Sequence, residues 1–239
     1  MPASFLNVVA FALMPMSAAL IGAIIAAFRP PRAVYRSYIQ HLAAGVVFSV
    51  VAVELLPSII HQRGAMVEVV VGFAPGVVVM LAMRSFSHKL EQRGGDSPFG
   101  LMVGVGIDIL LDGILISVSF AAGAKEGQLL TLALTLELLS LGLAVATALG
   151  KQEKSRARII LTTGLLFLTI VVGAGIGALV MQAISPEALE VVLSFGLAAL
   201  LYLVTEELLV EAHEEPESPA ASGMFFLGFL IFLLLGMVE

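Results

Sequence analysis

The sequence predicts an all-α membrane protein with eight transmembrane helices. Three observations support this fold class: apolar residues make up 59% of the chain, charged residues only 13%, and the mean hydropathy is +1.06. A water-facing surface cannot be built from such a composition. The 239 residues have room for roughly eight spans of about 20 residues joined by short loops. We therefore expect a single transmembrane domain over residues 1–239.

Uninterrupted apolar stretches define the eight predicted spans in order. They are residues 4–28, 38–60, 65–83, 98–122, 127–149, 159–181, 186–210 and 221–238. The first stretch has neither the basic start nor the small-residue cleavage site of a signal peptide, so we expect it to be a helix of the domain.

The basic residues predict the orientation of these spans. Of the 12 Lys and Arg residues, ten lie in or beside the loops after the first, third and fifth spans, and only Arg63 and Lys125 lie on the other side. Cytoplasmic loops carry the excess of Lys and Arg in membrane proteins. We therefore expect an integral protein of the plasma (inner) membrane with both termini outside.

The composition also excludes several classes of function. The chain contains no Cys, which excludes a disulfide framework, a thiolate metal site and a cysteine nucleophile. Every loop is too short for a nucleic-acid-binding surface or a soluble catalytic domain. We expect a protein that is not an enzyme and does not bind nucleic acid, whose partners are the lipid bilayer and a small solute or ion. A homodimer is left open.

Three carboxylates lie near the centre of the predicted spans. Asp108 and Asp112 belong to the fourth span and Glu137 to the fifth. An ionised carboxylate at the bilayer centre costs about 3 kcal/mol, and neither helix has an interior Lys or Arg to neutralise it. A cation that binds for part of a cycle would explain the cluster. Protonated carboxyls hydrogen-bonded to Ser or Thr are the alternative.

Helical spacing sharpens this hypothesis. Asp108 and Asp112 are four residues apart and share a helix face, so both can bind one ion. Glu137 and Ser140 are three residues apart and share a face of the fifth span. If the short segment AKEGQ is a loop, the two spans form a tight hairpin. We therefore predict one cation site formed by these four residues.

The second and seventh spans contain similar segments. Glu54-Leu-Leu-Pro57 in the second matches Glu207-Leu-Leu-Val210 in the seventh. Each lies in the second span of a group of three, and the two groups run in opposite senses across the membrane. This arrangement is typical of an inverted-repeat transporter, here with a 3+2+3 arrangement of spans. Glu206 faces away from Glu207, so we do not assign both to one ion.

An acidic segment, 211–221 (EAHEEPESPAA), follows the seventh span. Glu207 and Glu211 lie one helical turn apart and lead directly into it, so carboxylates run from the membrane to its cytoplasmic face. One interpretation is a solvated hinge, and the other is a release path that collects cations.

These residues resemble the ZIP (zinc/iron-regulated) metal transporters, which have eight spans and outside termini. The resemblance covers nearly the whole chain. The segments that carry it are Glu54-Leu-Leu-Pro57, Asp108-x-x-x-Asp112-Gly113, Glu137 and Tyr202-x-x-x-Glu206-Glu207-x-x-x-Glu211.

The family motifs align with the fourth and fifth spans. The fourth helix of the family has His-Asn-x-Pro-Glu-Gly, in which Asp108 stands for the His, Asp112 for the Glu and Gly113 for the Gly. The fifth has His-Glu-x-Pro-His-Glu, in which Glu137 matches the first Glu and Ser140 stands for the second His. Every His of both motifs is replaced, so only oxygen ligands remain.

The resemblance implies a transporter that moves a divalent cation toward the cytoplasm, with the fourth and fifth helices moving against a static second and seventh. The metal ligands it implies are Asp108, Asp112, Glu137, Ser140, Glu207 and Glu211. An oxygen-only set favours Mn²⁺, Mg²⁺ or Fe²⁺ as substrate over Zn²⁺ without excluding zinc.

Two other functions remain open. One is a proton-coupled carrier of another solute, which is disfavoured because no intramembrane Lys or Arg could hold an anion. The other is a ZIP-like membrane protein that senses an ion or assembles with partners without transport.

Overall fold

The computed structural model describes residues 4–60, 66–94, 99–151, 153, 155–213 and 218–237. Within these ranges all regular secondary structure is helical, and eight helices are long and apolar enough to cross a bilayer. The predicted fold class and the number of spans are confirmed. This is the architecture of an integral membrane protein.

We number these eight helices α1 to α8 in chain order. Their bounds are Phe5–Phe28 (α1), Ala33–Ile60 (α2), Met66–Gly94 (α3), Phe99–Ala122 (α4), Ala124–Gly150 (α5), Arg156–Ala183 (α6), 186–212 (α7) and Pro219–Met237 (α8). Two of the eight contain a π-helical segment, Val51–Leu55 in α2 and Leu203–Leu208 in α7.

Several predicted boundaries were wrong, and two of them have a clear physical reason. Helix α3 continues to Gly94, beyond the predicted end at residue 83, because its last turns are polar and a hydropathy criterion stops before them. The segment AKEGQ is the start of α5 rather than a loop, since Gly123 alone separates α4 from α5. Ala, Lys and Glu favour the helix, and Glu126 in the first turn complements the positive helix N-terminus.

The helices associate mainly in four pairs. Helix α1 packs against α5, α4 against α6, α2 against α8, and α3 against α7. Weaker contacts join α1 to α6 and α4 to α5, so that α1, α4, α5 and α6 form one group. The other group consists of α2, α3, α7 and α8. The two groups meet chiefly through α2 with α5 and α3 with α4.

Glycines allow the close approach of all four pairs. At each position an added Cβ would collide with the facing helix, so a larger residue would push the helices apart. These glycines are Gly22 and Gly142 (α1 and α5), Gly113 and Gly173 (α4 and α6), Gly45 and Gly228 (α2 and α8), and Gly72 and Gly76 (α3 facing α7).

The π-helical segments lie where α2 and α7 carry their intramembrane carboxylates. The amide of Leu56 bonds to the carbonyl of Val51, and that of Leu209 to the carbonyl of Val204, five residues back in each case. Single π-helical turns inside α-helices occur frequently at functional sites. Here the wide turn of α7 holds Glu207 beside α4 and α5.

Candidate cation site

A small pocket, which we call the central pocket, lies where α2, α4, α5 and α7 meet. Its volume is about 20 Å³, enough for one water-sized species. Its lining consists of leucines and six polar residues. The polar residues that line it are Gln40, Asp108, Glu137, Ser140, Glu207 and Glu211.

The structure therefore brings together most of the predicted site. Asp108, Glu137, Ser140, Glu207 and Glu211 all line the central pocket, although they come from three helices. Asp108 of α4 thus lies beside Glu137 and Ser140 of α5. Whether the site holds a metal stays a prediction.

Asp112 lies one turn along α4 from Asp108 and is 2% exposed. It is close enough to interact electrostatically with both Asp108 and Glu137. Asp112 Oδ2, Glu137 Oε2 and Ser140 Oγ are buried without a hydrogen-bond partner among the described residues. Such atoms are uncommon in native proteins, and binding of an ion or a water molecule would satisfy them.

The carboxylates form one electrostatically connected group. Glu137 interacts with Asp112, Asp108, Glu207 and Glu211. Asp108 and Glu207 also lie close enough to interact with each other. Like charges in a low-dielectric interior repel strongly, so a bound cation would lower the energy of this group.

Gln40 is a pocket residue that sequence analysis missed. It lies on α2, is 7% exposed, and its Nε2 donates a 2.5 Å hydrogen bond to Glu211 Oε2. The available signal was an amide side chain next to His41 in a mostly apolar stretch, YIQHLAAG. Only the three-dimensional pairing with α7 shows its place in the site.

A second cavity, which we call the wide cavity, adjoins the central pocket and has a volume of about 200 Å³. It runs from Gln40 and Glu211 to Ala33, the first residue of α2, and Ala148, near the end of α5. It therefore leads from the middle of the bundle to the side that holds the α1–α2 and α5–α6 connections. Gln40, Leu141 and Glu211 line both cavities.

Two intramembrane carboxylates, Glu54 and Glu206, have basic partners outside the central pocket. Lys125 Nζ lies 3.6 Å from Glu54 Oε1, and Arg84 forms an ion pair with Glu206. These cations come from other helices, Lys125 from α5 and Arg84 from α3, so the spacing within α2 and α7 did not indicate the pairs. The separation of Glu206 from Glu207 agrees with the sequence analysis.

The carboxylates do not surround an ion as they stand. Within the described ranges, no group of three or more His, Asp or Glu side chains is arranged to hold a metal. In this conformation Glu211 accepts a hydrogen bond from Gln40. These side chains would have to turn toward an ion to bind it. Residues 214–217 of the predicted acidic release path lie outside the described residues.

No protein-family model matches this sequence, and no curated protein matches it.

Proposed function

We propose that this protein is a divalent-cation transporter of the ZIP type that moves metal toward the cytoplasm. The observation that carries the proposal is the convergence of five carboxylates, two with buried unpartnered oxygen atoms, inside an apolar helical bundle. Burying so many acidic groups without a basic residue in the pocket is costly. A cation that visits the site supplies the missing positive charge.

The proposed ligands divide between two stages. Asp108, Asp112 and Glu137 bind the ion in the centre, with Ser140 as a neutral ligand. Glu207 and Glu211 then accept it toward the wide cavity. Oxygen ligands favour Mn²⁺, Mg²⁺ or Fe²⁺ over Zn²⁺, because Zn²⁺ prefers softer ligands.

The packing of the helices supports an inverted 3+2+3 repeat. If α1, α2 and α3 are exchanged with α6, α7 and α8, and α4 with α5, the four main pairs map onto one another. The α1–α5 pair becomes α6–α4, and the α2–α8 pair becomes α7–α3. The π-helical segments of α2 and α7 also exchange. Inverted repeats of this kind are typical of transporters with a site at the repeat interface.

The two helix groups support an elevator mechanism, in which the group of α1, α4, α5 and α6 moves against the other. The central pocket lies between the groups. The wide cavity lies on the side of the basic loops, which we infer to be the cytoplasm. Toward the other side of the site, Ile116, Leu130 and Leu134 are fully buried. This favours an inward-facing state in a plasma (inner) membrane, with both termini outside.

Uptake of Mn²⁺ into proteoliposomes tests the proposal. We expect saturable uptake that Mg²⁺ inhibits at least as well as Zn²⁺. Asp112→Asn and Glu137→Gln should abolish it, whereas Glu153→Gln, which removes a carboxylate of the α5–α6 connection, should retain it.

Uptake at the wild-type rate in both site variants would contradict the proposed ligands. Proton movement with another solute but no metal uptake would favour the proton-coupled carrier. Ion binding without flux would favour a non-transporting protein. A homodimer stays a prediction.

A further inference from the structure

We infer that Gln40 is a positioning residue that controls passage of the cation between the central pocket and the wide cavity. This inference rests on the proposed function. We call the junction of the two cavities the neck and define it by Gln40, Leu141 and Glu211, the residues that line both. Leu141 is apolar, so among the side chains of the three neck residues it is the amide of Gln40 and the carboxylate of Glu211 that can bind an ion crossing the neck.

The geometry of the neck is held by both of its helices. Gln40 Nε2 donates to Glu211 Oε2 at 2.5 Å, which joins α2 to α7. One turn earlier on α2, Ser37 Oγ donates a 2.8 Å hydrogen bond to the carbonyl oxygen of Ala212. These two bonds fix the spacing of the helices around the neck. Glu211 is therefore presented one turn beyond Glu207, which lines the central pocket.

The chemistry of an amide suits this position. In the present arrangement the N–H of Gln40 satisfies the carboxylate of Glu211. A cation that reaches Glu211 competes with this N–H for the same oxygen lone pairs. When the N–H is displaced, rotation about the last side-chain bond brings the carbonyl Oε1 of Gln40 to the ion. Amide carbonyls are ordinary ligands of hard divalent cations.

The neutrality of Gln40 also determines how firmly the ion is held. One carboxylate and one amide carbonyl bind a divalent ion weakly, which permits its release into the wide cavity. Two carboxylates at the same place would bind it more tightly and slow its release. Arg36 lines the wide cavity beyond the neck, and its positive charge disfavours retention of a cation that has crossed.

Two variants test the inference in opposite directions. Gln40→Glu keeps the shape of the side chain and adds a carboxylate, while Gln40→Leu removes both the donor and the ligand. Ser58→Ala is the control, because it loses a hydrogen bond of the same helix at a position far from the neck. The readouts are the maximal rate of Mn²⁺ transport in proteoliposomes and its inhibition by Mn²⁺ on the side that the wide cavity faces.

We expect both variants to lower the maximal rate roughly tenfold. This factor corresponds to the free energy of one hydrogen bond to a charged group. Inhibition from the wide-cavity side separates them. Gln40→Glu should be inhibited by about tenfold less Mn²⁺ than the wild type, and Gln40→Leu by about tenfold more. Ser58→Ala should keep the wild-type value. A purely structural role of Gln40 would not shift inhibition in opposite directions.

Wild-type rate and inhibition in both variants would overturn the inference, as would shifts in the same direction. If Gln40→Leu does not fold, as judged by its elution and thermal unfolding in detergent, the near-isosteric Gln40→Glu decides alone. Failure of the proposed function is distinguishable, because the wild type would then show no Mn²⁺ flux that depends on Asp112. If that flux exists and the Gln40 variants leave it unchanged, only the inference fails.

Discussion

Lys125 Nζ lies 3.6 Å from Glu54 Oε1 and donates a 2.7 Å hydrogen bond to the carbonyl oxygen of Gly236. The contact joins the first turn of α5 to the π-helical segment of α2 and the end of α8. It therefore links the two helix groups at the end of the bundle opposite the wide cavity. Lys125 is 34% exposed at its side chain and Glu54 10%, so water screens the pair only in part.

A double-mutant cycle tests this link. Lys125→Met and Glu54→Gln should each lower the stability, and the double variant should be more stable than the sum of the two losses predicts. We expect a coupling free energy of about 1 kcal/mol, because one partner is a third exposed. Thermal unfolding in detergent measures it. Strictly additive losses would mean that the two side chains do not stabilise one another.

The orientation of the helices can be tested at the two ends of α5. Single cysteines at Ala124 and Ser155 should react with a membrane-impermeant maleimide from opposite sides, because one helix separates them. The distribution of basic residues predicts that Ser155→Cys reacts only from the cytoplasm. The absence of native cysteines makes the labelling unambiguous. Labelling of both positions from outside would contradict the eight-span topology.

Glu137 and Glu54 should respond oppositely to replacement by Met. Glu137 has a buried oxygen without a partner among the described residues, whereas Glu54 is paired with Lys125. Without metal, Glu137→Met should raise stability by about 1–3 kcal/mol, because an apolar group of similar size removes a desolvation cost.

Glu54→Met should lower stability by a similar amount. Mn²⁺ should stabilise the wild type and Glu54→Met but not Glu137→Met. The measurement is thermal unfolding of all three proteins with and without Mn²⁺. A less stable Glu137→Met that is still stabilised by Mn²⁺ would remove Glu137 from the site.

Binding of Mn²⁺ should weaken as the pH falls. Carboxylates must be deprotonated to bind a metal, so protons and the ion compete for the same oxygens. For each proton that the ion displaces, the apparent affinity should fall by roughly tenfold when the pH falls by one unit, in the range where the site is protonated. Titration of the thermal shift with Mn²⁺ at several pH values measures this slope. Affinity that is constant or rises on acidification would contradict a carboxylate site.

The close approach of α1 and α5 predicts a sharp difference between two glycines. An added Cβ at Gly142 would lie 2.8 Å from the Cα of Ala19 and even closer to its carbonyl oxygen. Gly142→Ala should therefore lower stability by about 1–3 kcal/mol. At Gly223 nothing lies within 4 Å of the added atom, so Gly223→Ala should be neutral or slightly stabilising. Thermal unfolding compares the two, and equal effects would contradict the helix contact.

The spans could be predicted because membrane helices satisfy their own backbone and show their hydropathy locally. Helix ends that extend beyond the apolar stretch could not be predicted, as the polar extension of α3 to Gly94 shows. The π-helical segments were also missed. They change the hydrogen-bond register of the backbone by one residue without a distinctive sequence pattern.

The site was predictable where one helix sets the spacing. Asp108 with Asp112, and Glu137 with Ser140, follow from the helical period. The bond of Gln40 to Glu211 joins residues 171 positions apart, and no local pattern marks it. The same holds for Lys125, whose pairing with Glu54 depends on how α5 packs beside α2 and α8.

The glycine contacts of the four helix pairs have a consequence for how the protein responds to its surroundings. They consist of backbone and small apolar groups, whose dispersion attraction depends on neither pH nor ionic strength. Acidification thus acts on the carboxylates, including Glu206 in its ion pair with Arg84, and leaves the glycine contacts within each pair unchanged. Under the proposed function, ionic conditions would set the ion occupancy of the central pocket while these glycine contacts preserve the spacing of the paired helices.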